Sequence, residues 1–246
     1  MSIRNSLLRT YFARRMKAID RFRRHPDQVQ AEMFRQLIAR GADTEFGRRH
    51  GVAKHLTPEA FAARVGVQDY ESFKPYIERM LAGEKNVAAP GRVTLFARSS
   101  GTTSDRSKFI PVTRESVWWN HTLGMRDVAA VYASAKPQTK IFDGKTLTLG
   151  GSYVRENGAL IGDLSAVLIS QTPFWSGWFR APKMETALIP DFDRKIEGIC
   201  RECTREKITA FAGVPSWNLV LMRRVLEYTG TVSYTHLRAH ETCADL

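Results

Sequence analysis

The stretch that most constrains the fold is a run rich in hydroxyl side chains at residues 99–108, which lies between two short apolar runs. Residues 93–97 precede it and residues 109–112 follow it. This order predicts a strand, a polar loop and a second strand, with a loop longer than a simple chain reversal needs. Backbone N–H groups, hydroxyls and one ammonium in such a loop form a nest for an anion, and a polyphosphate is its natural ligand.

The candidate ligand-binding residues of this loop are five consecutive positions and a lysine. They are Ser99, Ser100, Gly101, Thr102, Thr103 and Lys108. The glycine–lysine P-loop of nucleotide triphosphatases is absent, because the near match that ends at Gly144 and Lys145 carries Thr139 in place of its first glycine. Composition alone leaves a second interpretation open, which is an ordinary surface loop rich in serine and threonine.

The order of residues in the loop also resembles a known family. Ser99–Thr103 followed by Lys108 resembles the phosphate-binding loop of adenylate-forming enzymes. The longer string over residues 96–113 is similar to one branch of them, the auxin-responsive Gretchen Hagen family of acyl-acid amido synthetases, in its bacterial form. Further stretches agree with the same family, namely residues 5–7, 44–47, 69–77 and 212–217. The resemblance extends from the start of the chain to about Gly230.

The resemblance implies an α/β fold in which a helical N-terminal segment, residues 1–90, precedes part of the large adenylate-forming (luciferase-like) domain, residues 91–230. The motifs that hold adenine and ribose, and a smaller C-terminal domain that closes over the site, would lie beyond Gly230. We therefore expect the chain as written to be a truncated fragment that is inactive and only marginally folded. Strands that pair with the missing part would leave open edges.

Residues 231–246 are expected to be a non-native tail. From Ser233 to Thr242 the sequence matches, residue for residue, an in-frame translation of a transposase adapter used in sequencing libraries. His236 and His240 imitate half of a helical zinc motif, and under this hypothesis they have no function. We assign no metal ligand in the chain.

The resemblance also implies a reaction in two steps that uses ATP and Mg²⁺. A carboxylic acid attacks the α-phosphate of magnesium-ATP to give an acyl-adenylate and pyrophosphate, and the amine of an amino acid then displaces AMP to form an amide. The four loop hydroxyls at positions 99, 100, 102 and 103 would hydrogen-bond phosphate oxygens. Gly101 would let the backbone approach, and Lys108 would supply charge to the leaving group or orient the loop. No catalytic residue is assigned.

The loop departs from the family pattern at one position. Many members have a second glycine where this chain has Asp105. Aspartate tolerates left-handed backbone geometry better than most residues, so the turn is compatible with it. A carboxylate near phosphates would repel them unless Arg106 or a magnesium ion offsets its charge.

The composition is typical of a globular cytoplasmic protein. The chain has 246 residues, of which 43% are hydrophobic and 25% charged. No apolar run has the length of a membrane span, and no signal-peptide core follows the basic N-terminus. Three cysteines give no even disulfide framework, which favours a reduced compartment.

The net charge of +12 does not indicate a nucleic-acid partner, because the basic residues are spread along the chain. The densest basic cluster lies in residues 1–24, where interleaved apolar residues predict an amphipathic helix. We expect this helix to pack its apolar stripe on its own domain. The alternative is a non-catalytic module that binds an anionic membrane or a partner through this helix.

Caps, prolines and apolar runs predict the remaining elements. The predicted helices are 27–40 after Pro26, one capped by Thr57, one from Pro75 to Gly83, one from Thr113 to Ala133, one over 193–207 and one from Pro215. The predicted strands are residues 146–149, 166–169 and 208–212, and residues 47–51 are predicted to form a basic loop.

Three further groups of side chains are candidate sites. Cys200 and Cys203 have the spacing of a redox or zinc half-site, but structural thiols are the preferred interpretation. The aromatic residues at 174–179 suggest an acyl pocket or a partner surface if they are exposed, and packing beneath a loop is slightly preferred. His121 is expected to be paired with a neighbour.

Among enzymes, an acyl-coenzyme A synthetase is the alternative to an amido synthetase.

Overall fold

The computed structural model describes residues 3–99 and 107–230. Its α-helices are α1 (Ile3–Arg24), α2 (Pro26–Gly41), α3 (Glu45–Arg49), α4 (Pro58–Val65), α5 (Tyr70–Leu81), α6 (Leu123–Ala135), α7 (Leu164–Ser170), α8 (Met184–Ala187), α9 (Phe192–Cys203) and α10 (Pro215–Thr229). Its strands are β1 (Leu95–Arg98), β2 (Phe109–Pro111), β3 (Lys145–Thr148), β4 (Tyr153–Glu156), β5 (Ala159–Gly162), β6 (Arg180–Ala181) and β7 (Ile208–Ala212). The predicted α/β class, with a helical N-terminal segment before the first strand, is confirmed.

The chain divides into two compact units, and each unit is discontinuous in sequence. The described parts of the β1 unit are residues 16–99, 107–124 and 154–161. Those of the β3 unit are residues 3–15, 125–153 and 162–230. The domain boundaries expected near residues 90 and 230 stay predictions.

The sheet of the β1 unit has the strand order β2-β1-β5-β4 among the described residues. β1 and β2 pair antiparallel, with Phe96 opposite Pro111 and Arg98 opposite Phe109, so the two strands predicted on either side of the hydroxyl-rich run are confirmed. β4 and β5 are joined through Asn157 and Gly158, whose φ angles are 49° and 75°. Positive φ at two successive residues is the geometry of a tight hairpin turn, and Asn-Gly adopts it readily.

Helix α5 covers one face of this sheet. Tyr76, Ile77 and Met80 are buried in one cluster with Phe96 of β1 and Ile161 of β5. The helix begins at Tyr70 because the side chain of the preceding aspartate accepts a hydrogen bond from a first-turn backbone N–H.

The prediction that the α5 helix begins near Pro75 is therefore wrong. Pro75 lies inside the helix and removes one backbone hydrogen bond. The apolar stripe that the helix buries outweighs this loss.

Three other helix starts follow the signals predicted for them. Pro26 is the first residue of α2, and Thr57 caps α4 by accepting a hydrogen bond from the N–H of Ala60 at 3.2 Å. Thr113 likewise accepts from the N–H of Ser116 at 3.1 Å, and the helix that follows passes through a π-helical turn, Ser116–Thr122, into α6.

The predicted basic loop at residues 47–51 is wrong in its first half, because residues 47–49 belong to helix α3. Thr44 caps this helix by accepting a hydrogen bond from the N–H of Gly47 at 3.0 Å. Gly47 is buried, and a Cβ at this position would collide with the carbonyl oxygen of Gly41. The glycine is thus explained by close packing rather than by a turn.

The sheet of the β3 unit has the order β6-β3-β7 among the described residues, and both neighbours run parallel to β3. Helices α9 and α10 contribute Ile199 and Leu221 to the core that also contains Leu147 of β3. The predicted strands at 146–149 and 208–212 and the predicted helices at 193–207 and from Pro215 are confirmed, with small shifts at their ends.

The predicted strand at 166–169 is wrong, because these residues lie in helix α7. Ala166, Val167 and Ile169 are all buried, and a short apolar run that is buried on several sides has no periodicity to separate strand from helix.

Candidate functional site

The predicted phosphate loop begins and ends at two residues that hydrogen-bond each other. The N–H of Ser99 donates to the carbonyl oxygen of Lys108 at 2.9 Å, and the N–H of Lys108 donates to Ser99 Oγ at 3.1 Å. These bonds continue the β1–β2 ladder by one residue on each strand. The structure therefore brings the first and the last predicted ligand-binding residues together at the base of the loop.

The other predicted loop residues, Ser100, Gly101, Thr102 and Thr103, lie outside the described residues, as do Asp105 and the tail at 231–246. Their assignment to a phosphate site stays a prediction. The role of Ser99 and Lys108 as ligand-binding residues is likewise a prediction that the geometry of the base supports.

The Lys108 ammonium lies over the ring of Tyr70, the first residue of α5, with Nζ 5.2 Å from the ring centroid. The same tyrosine accepts a hydrogen bond at its Oη from the N–H of Phe109 at 3.0 Å. No hydrogen bond or ion pair of Lys108 Nζ occurs with another of the described side chains or carbonyl groups. The ammonium thus has a defined place, and among the described residues its N–H donors have no hydrogen-bond acceptor.

The cap of α5 lies close to this lysine. Ser72 donates two hydrogen bonds to Asp69 Oδ1, one from its hydroxyl and one from its backbone N–H. These bonds lower the pKa of the Asp69 carboxyl below its ordinary value, and the charge of Lys108 adds to the shift. The carboxylate therefore remains ionised at neutral pH beside the lysine.

A cleft of about 300 Å³ lies between α5 and the start of β2. Tyr70, Ile77 and Phe109 give it an apolar floor, and Lys108 lies at its wall. Lys74 lies between Glu71 and Glu78, with N–O distances of 3.8 and 3.9 Å, so the far side of the cleft carries one more carboxylate than ammonium group.

A second, more basic cleft of about 280 Å³ lies on the other side of α5 and includes Arg49 and Arg79. The Arg79 guanidinium donates hydrogen bonds to Glu84, and it makes two further hydrogen bonds to Glu45 at 2.7 and 2.6 Å. These two carboxylates raise the pKa of Arg79. Arg49 donates to Tyr76 Oη at 3.2 Å. Because Arg79 is already paired with two carboxylates, this cleft is a weaker anion site than its residue types suggest.

A buried lysine that sequence reasoning missed lies at the carboxyl end of β3, the edge at which α/β folds bind ligands. Lys195 of α9 is 3% exposed, and its Nζ donates to the carbonyl oxygens of Gly150 and Gly151 at 2.7 and 2.8 Å. Burial lowers the pKa of the Lys195 ammonium, and the charge of Asp163 partly offsets this. Its position on the apolar stripe of α9 was the signal that could have found it.

The two cysteines of α9 are free and buried, as the structural interpretation predicted. Burial raises the pKa of the Cys200 thiol, and burial together with the charge of Glu202 raises the pKa of the Cys203 thiol to about 12. Both thiols are therefore protonated and unreactive at neutral pH.

Across residues 3–99 and 107–230, no three histidine, cysteine or acidic side chains come together as a metal site would require.

The preferred interpretation of the aromatic residues at 174–179 is wrong for three of them. Phe174 is 92% exposed, Trp178 is 69% exposed and Trp175 is 48% exposed, although Trp175 also packs edge-on against Phe179. The guanidinium of Arg4 covers the other part of this cluster, with Cζ 4.8 Å from the Phe179 ring centroid.

Within the described ranges, no helix combines the length and apolar character that crossing a bilayer requires.

Comparison with protein families gives one match that covers most of the chain. Residues 15–227 match the family described as the GH3 family N-terminal domain. Among curated relatives, a probable indole-3-acetic acid-amido synthetase GH3.2 from Oryza sativa subsp. japonica is 34% identical over 106 residues, which is 43% of this chain and 17% of the relative. The indole-3-acetic acid-amido synthetase GH3.3 of Arabidopsis thaliana is 29% identical over 103 residues, 42% of this chain and 17% of the relative.

Solved structures show the same fold. The GH3.15 acyl acid amido synthetase superposes with a TM-score of 0.68 at 17% identity, over 86% of this chain and 38% of the solved one. The AtGH3.15 acyl acid amido synthetase in complex with 2,4-DB gives a TM-score of 0.63 at 20% identity, over 82% and 36%. The chain thus covers less than half the length of each of these relatives.

Proposed function

The chain belongs to the GH3 family, and from this premise we propose that it supplies the phosphate-binding part of an acyl-acid amido synthetase. In this proposal the complete enzyme adenylates a carboxylic acid with ATP and then forms an amide with an amino acid. The family match supports the premise, and the names of the relatives support an acid that is converted to an amide. The bacterial origin of the chain stays a prediction.

The observation that carries the proposal is the base of the loop. The β1–β2 ladder places the hydroxyl of Ser99 and the Lys108 backbone against each other, while the Lys108 ammonium makes no hydrogen bond to a described residue. A hydroxyl and a cation are thereby held at the two ends of one hydroxyl-rich loop. This arrangement suits a polyphosphate, which needs several donors and positive charge in one place.

The chemistry that we propose depends on charge stabilisation rather than on a covalent intermediate with the protein. Negative charge develops on the departing pyrophosphate, and preorganised donors at that position lower the barrier. Ser99, Ser100, Thr102 and Thr103 would donate hydrogen bonds to phosphate oxygens, and Gly101 would allow close approach of the backbone. Lys108 would contribute its charge. Mg²⁺ would be held by the phosphates and water, since this ion keeps several waters and rarely occupies an all-protein cage.

The relatives also suggest the substrate classes. Their names give indole-3-acetic acid and 2,4-DB as acids of individual relatives. For this chain we propose a small carboxylic acid as the acyl donor and an amino acid as the amine. The acyl-coenzyme A synthetase alternative differs only in the acceptor, so offering coenzyme A against amino acids to the native gene product distinguishes them.

The test is pyrophosphate release by the native gene product with a panel of carboxylic acids, beside Lys108→Ala and the exposed control Lys183→Ala. We expect release that depends on the acid and falls at least about tenfold in Lys108→Ala, because a charge-assisted contact is worth roughly 1.5–3 kcal/mol. Lys183→Ala is expected to behave as the parent. Pyrophosphate release that does not depend on the added acid, or release that falls equally in both variants, would contradict the proposal.

A second candidate function rests on α1. Ile3, Leu7 and Tyr11 lie one turn apart and are exposed, and exposed Arg14 and Lys17 follow them along the helix. Such a face suits an anionic lipid surface. Sedimentation with vesicles of anionic and neutral lipid tests it, with Leu7→Gln as the variant; equal recovery from both vesicles would remove this candidate.

A further inference from the structure

Tyr70 contacts two consecutive residues of the loop base in two different ways. Its ring face lies 5.2 Å from Lys108 Nζ, and its Oη accepts the N–H of Phe109 at 3.0 Å. Phe109 begins β2, which is an edge strand in the described sheet, so this N–H points away from β1 and needs a partner. A single side chain therefore fixes both the backbone where the loop ends and the direction of the ammonium.

The tyrosine is itself held firmly. It is the first residue of α5, directly after the capping Asp69, and its ring packs against the core cluster that contains Tyr76 and Phe96. Helix α5 contributes three buried residues to that core. The position of Tyr70 is thus set by the core, not by the loop.

The charges around Lys108 explain why a ring is a suitable partner. The positive end of the α5 dipole repels the ammonium, and the Asp69 carboxylate offsets this repulsion. An aromatic face attracts a cation without accepting its N–H bonds in the way that a carboxylate does. A lysine placed in this way stays ready to bind an anion, whereas a lysine in a salt bridge would first have to leave its partner.

We propose that Tyr70 is a positioning residue for Lys108: its ring directs the ammonium, so that the cation is pre-oriented for a polyphosphate, while its hydroxyl separately holds the start of β2. The inference rests on the proposed function for the identity of the ligand. The placement of Lys108 by Tyr70 is a separate statement and is tested separately.

The placement is tested by NMR of the chain after reductive ¹³C-methylation, which keeps the lysine charge. The Lys108 methyl resonance, assigned with Lys108→Arg, is expected upfield of the exposed lysines because the Tyr70 ring current shields it. The shift should persist in Tyr70→Phe and disappear in Tyr70→Leu, while the matched control Tyr228→Leu leaves it in place. A Lys108 resonance at the position of exposed lysines, or one that Tyr70→Leu does not move, would overturn the proposal.

The role is tested by calorimetric titration of the same variants with magnesium pyrophosphate. Tyr70→Phe keeps the ring and is expected to stay within about twofold of the parent affinity, whereas Tyr70→Leu should weaken binding about fivefold. Tyr70→Leu should add nothing further in a Lys108→Ala background, because it acts through that lysine. Equal weakening in both backgrounds would mean that Tyr70 supports only the fold, and would refute the positioning role.

The two proposals fail in different ways. A parent chain that retains the shifted Lys108 resonance but binds no pyrophosphate would refute the polyphosphate site and keep the placement of Lys108 by Tyr70. Pyrophosphate binding that depends on Lys108, with no effect of Tyr70→Leu on resonance or affinity, would keep the proposed function and refute the inference.

Discussion

Lys108 in the β1 unit lies directly before strand β2, and Lys195 in the β3 unit lies on helix α9 with its ammonium at the turn after strand β3, yet the two lysines use the same functional group in opposite ways. Lys195 is buried and donates to two consecutive carbonyl oxygens. Lys108 is partly exposed, and its ammonium contacts only an aromatic face among the described residues. Lys195 donates hydrogen bonds to the backbone, whereas the Lys108 ammonium makes no hydrogen bond to a described residue.

The comparison shows how the surroundings assign the role of a lysine. A buried ammonium that satisfies backbone carbonyls is costly to remove, because both the cation and its acceptors were desolvated together. An ammonium over a ring contributes little to folding and is available for a ligand. We therefore expect Lys195 to matter mainly for stability and Lys108 mainly for binding.

The largest expected effect is on stability at Lys195. Lys195→Met keeps much of the side-chain volume but leaves the carbonyls of Gly150 and Gly151 without a donor, so we expect the free energy of unfolding to fall by about 3 kcal/mol. Urea denaturation followed by tryptophan fluorescence measures it. The control Lys183→Met removes an exposed lysine and should cost less than about 0.5 kcal/mol. Equal losses in the two variants would break the contrast.

A second effect at Lys195 concerns alkaline pH. Because its pKa is lowered in the folded state, the folded chain loses this proton at a pH where the unfolded chain, with the ordinary value of 10.5, still holds it. The unfolded state then binds more protons, so this group makes the free energy of unfolding rise with pH up to about that value. The difference in the free energy of unfolding between the parent and Lys195→Met, taken at each pH, separates the effect of Lys195 from that of Cys203. If the two free energies change with pH in parallel, the lowered pKa of Lys195 is contradicted.

The smallest expected effect is on stability at Lys108. Lys108→Met removes a cation–π contact at a partly exposed site, which is worth about 0.5–1 kcal/mol, and leaves no buried acceptor without a donor. The same urea measurement gives the value beside Lys195→Met. A loss as large as that at Lys195 would show that Lys108 is a structural residue, and would weaken the proposed phosphate site.

Local sequence signals predicted much of the fold. The strands on either side of the hydroxyl-rich loop and the starts at Pro26 and Thr57 were found, because an apolar run, a cap or a proline fixes each one locally. The Asn157-Gly158 turn was a signal of equal strength and was overlooked, so the β4–β5 hairpin was missed.

Tertiary packing decided what the sequence left open. The run at 166–169 is a helix that its sequence does not distinguish from a strand, because burial on several sides removes the periodicity that separates the two. The start predicted at Pro75 is wrong because Asp69 provides a stronger cap earlier in the chain, so that α5 begins at Tyr70. At the candidate site, the loop composition pointed to Ser99 and Lys108. It could not reveal Tyr70, because that contact joins residues 38 positions apart in the sequence.

The strand order β2-β1-β5-β4 also has a consequence for synthesis on the ribosome. The β1–β2 hairpin is complete once Pro111 has emerged, but β5, the other neighbour of β1, begins only at Ala159. At a translation rate of roughly 5–20 residues per second, the inner edge of β1 remains without its neighbour β5 for about 2–10 s. During that interval the nascent chain presents an open strand edge, so chaperone capture should depend on how quickly residues 112–158 are translated.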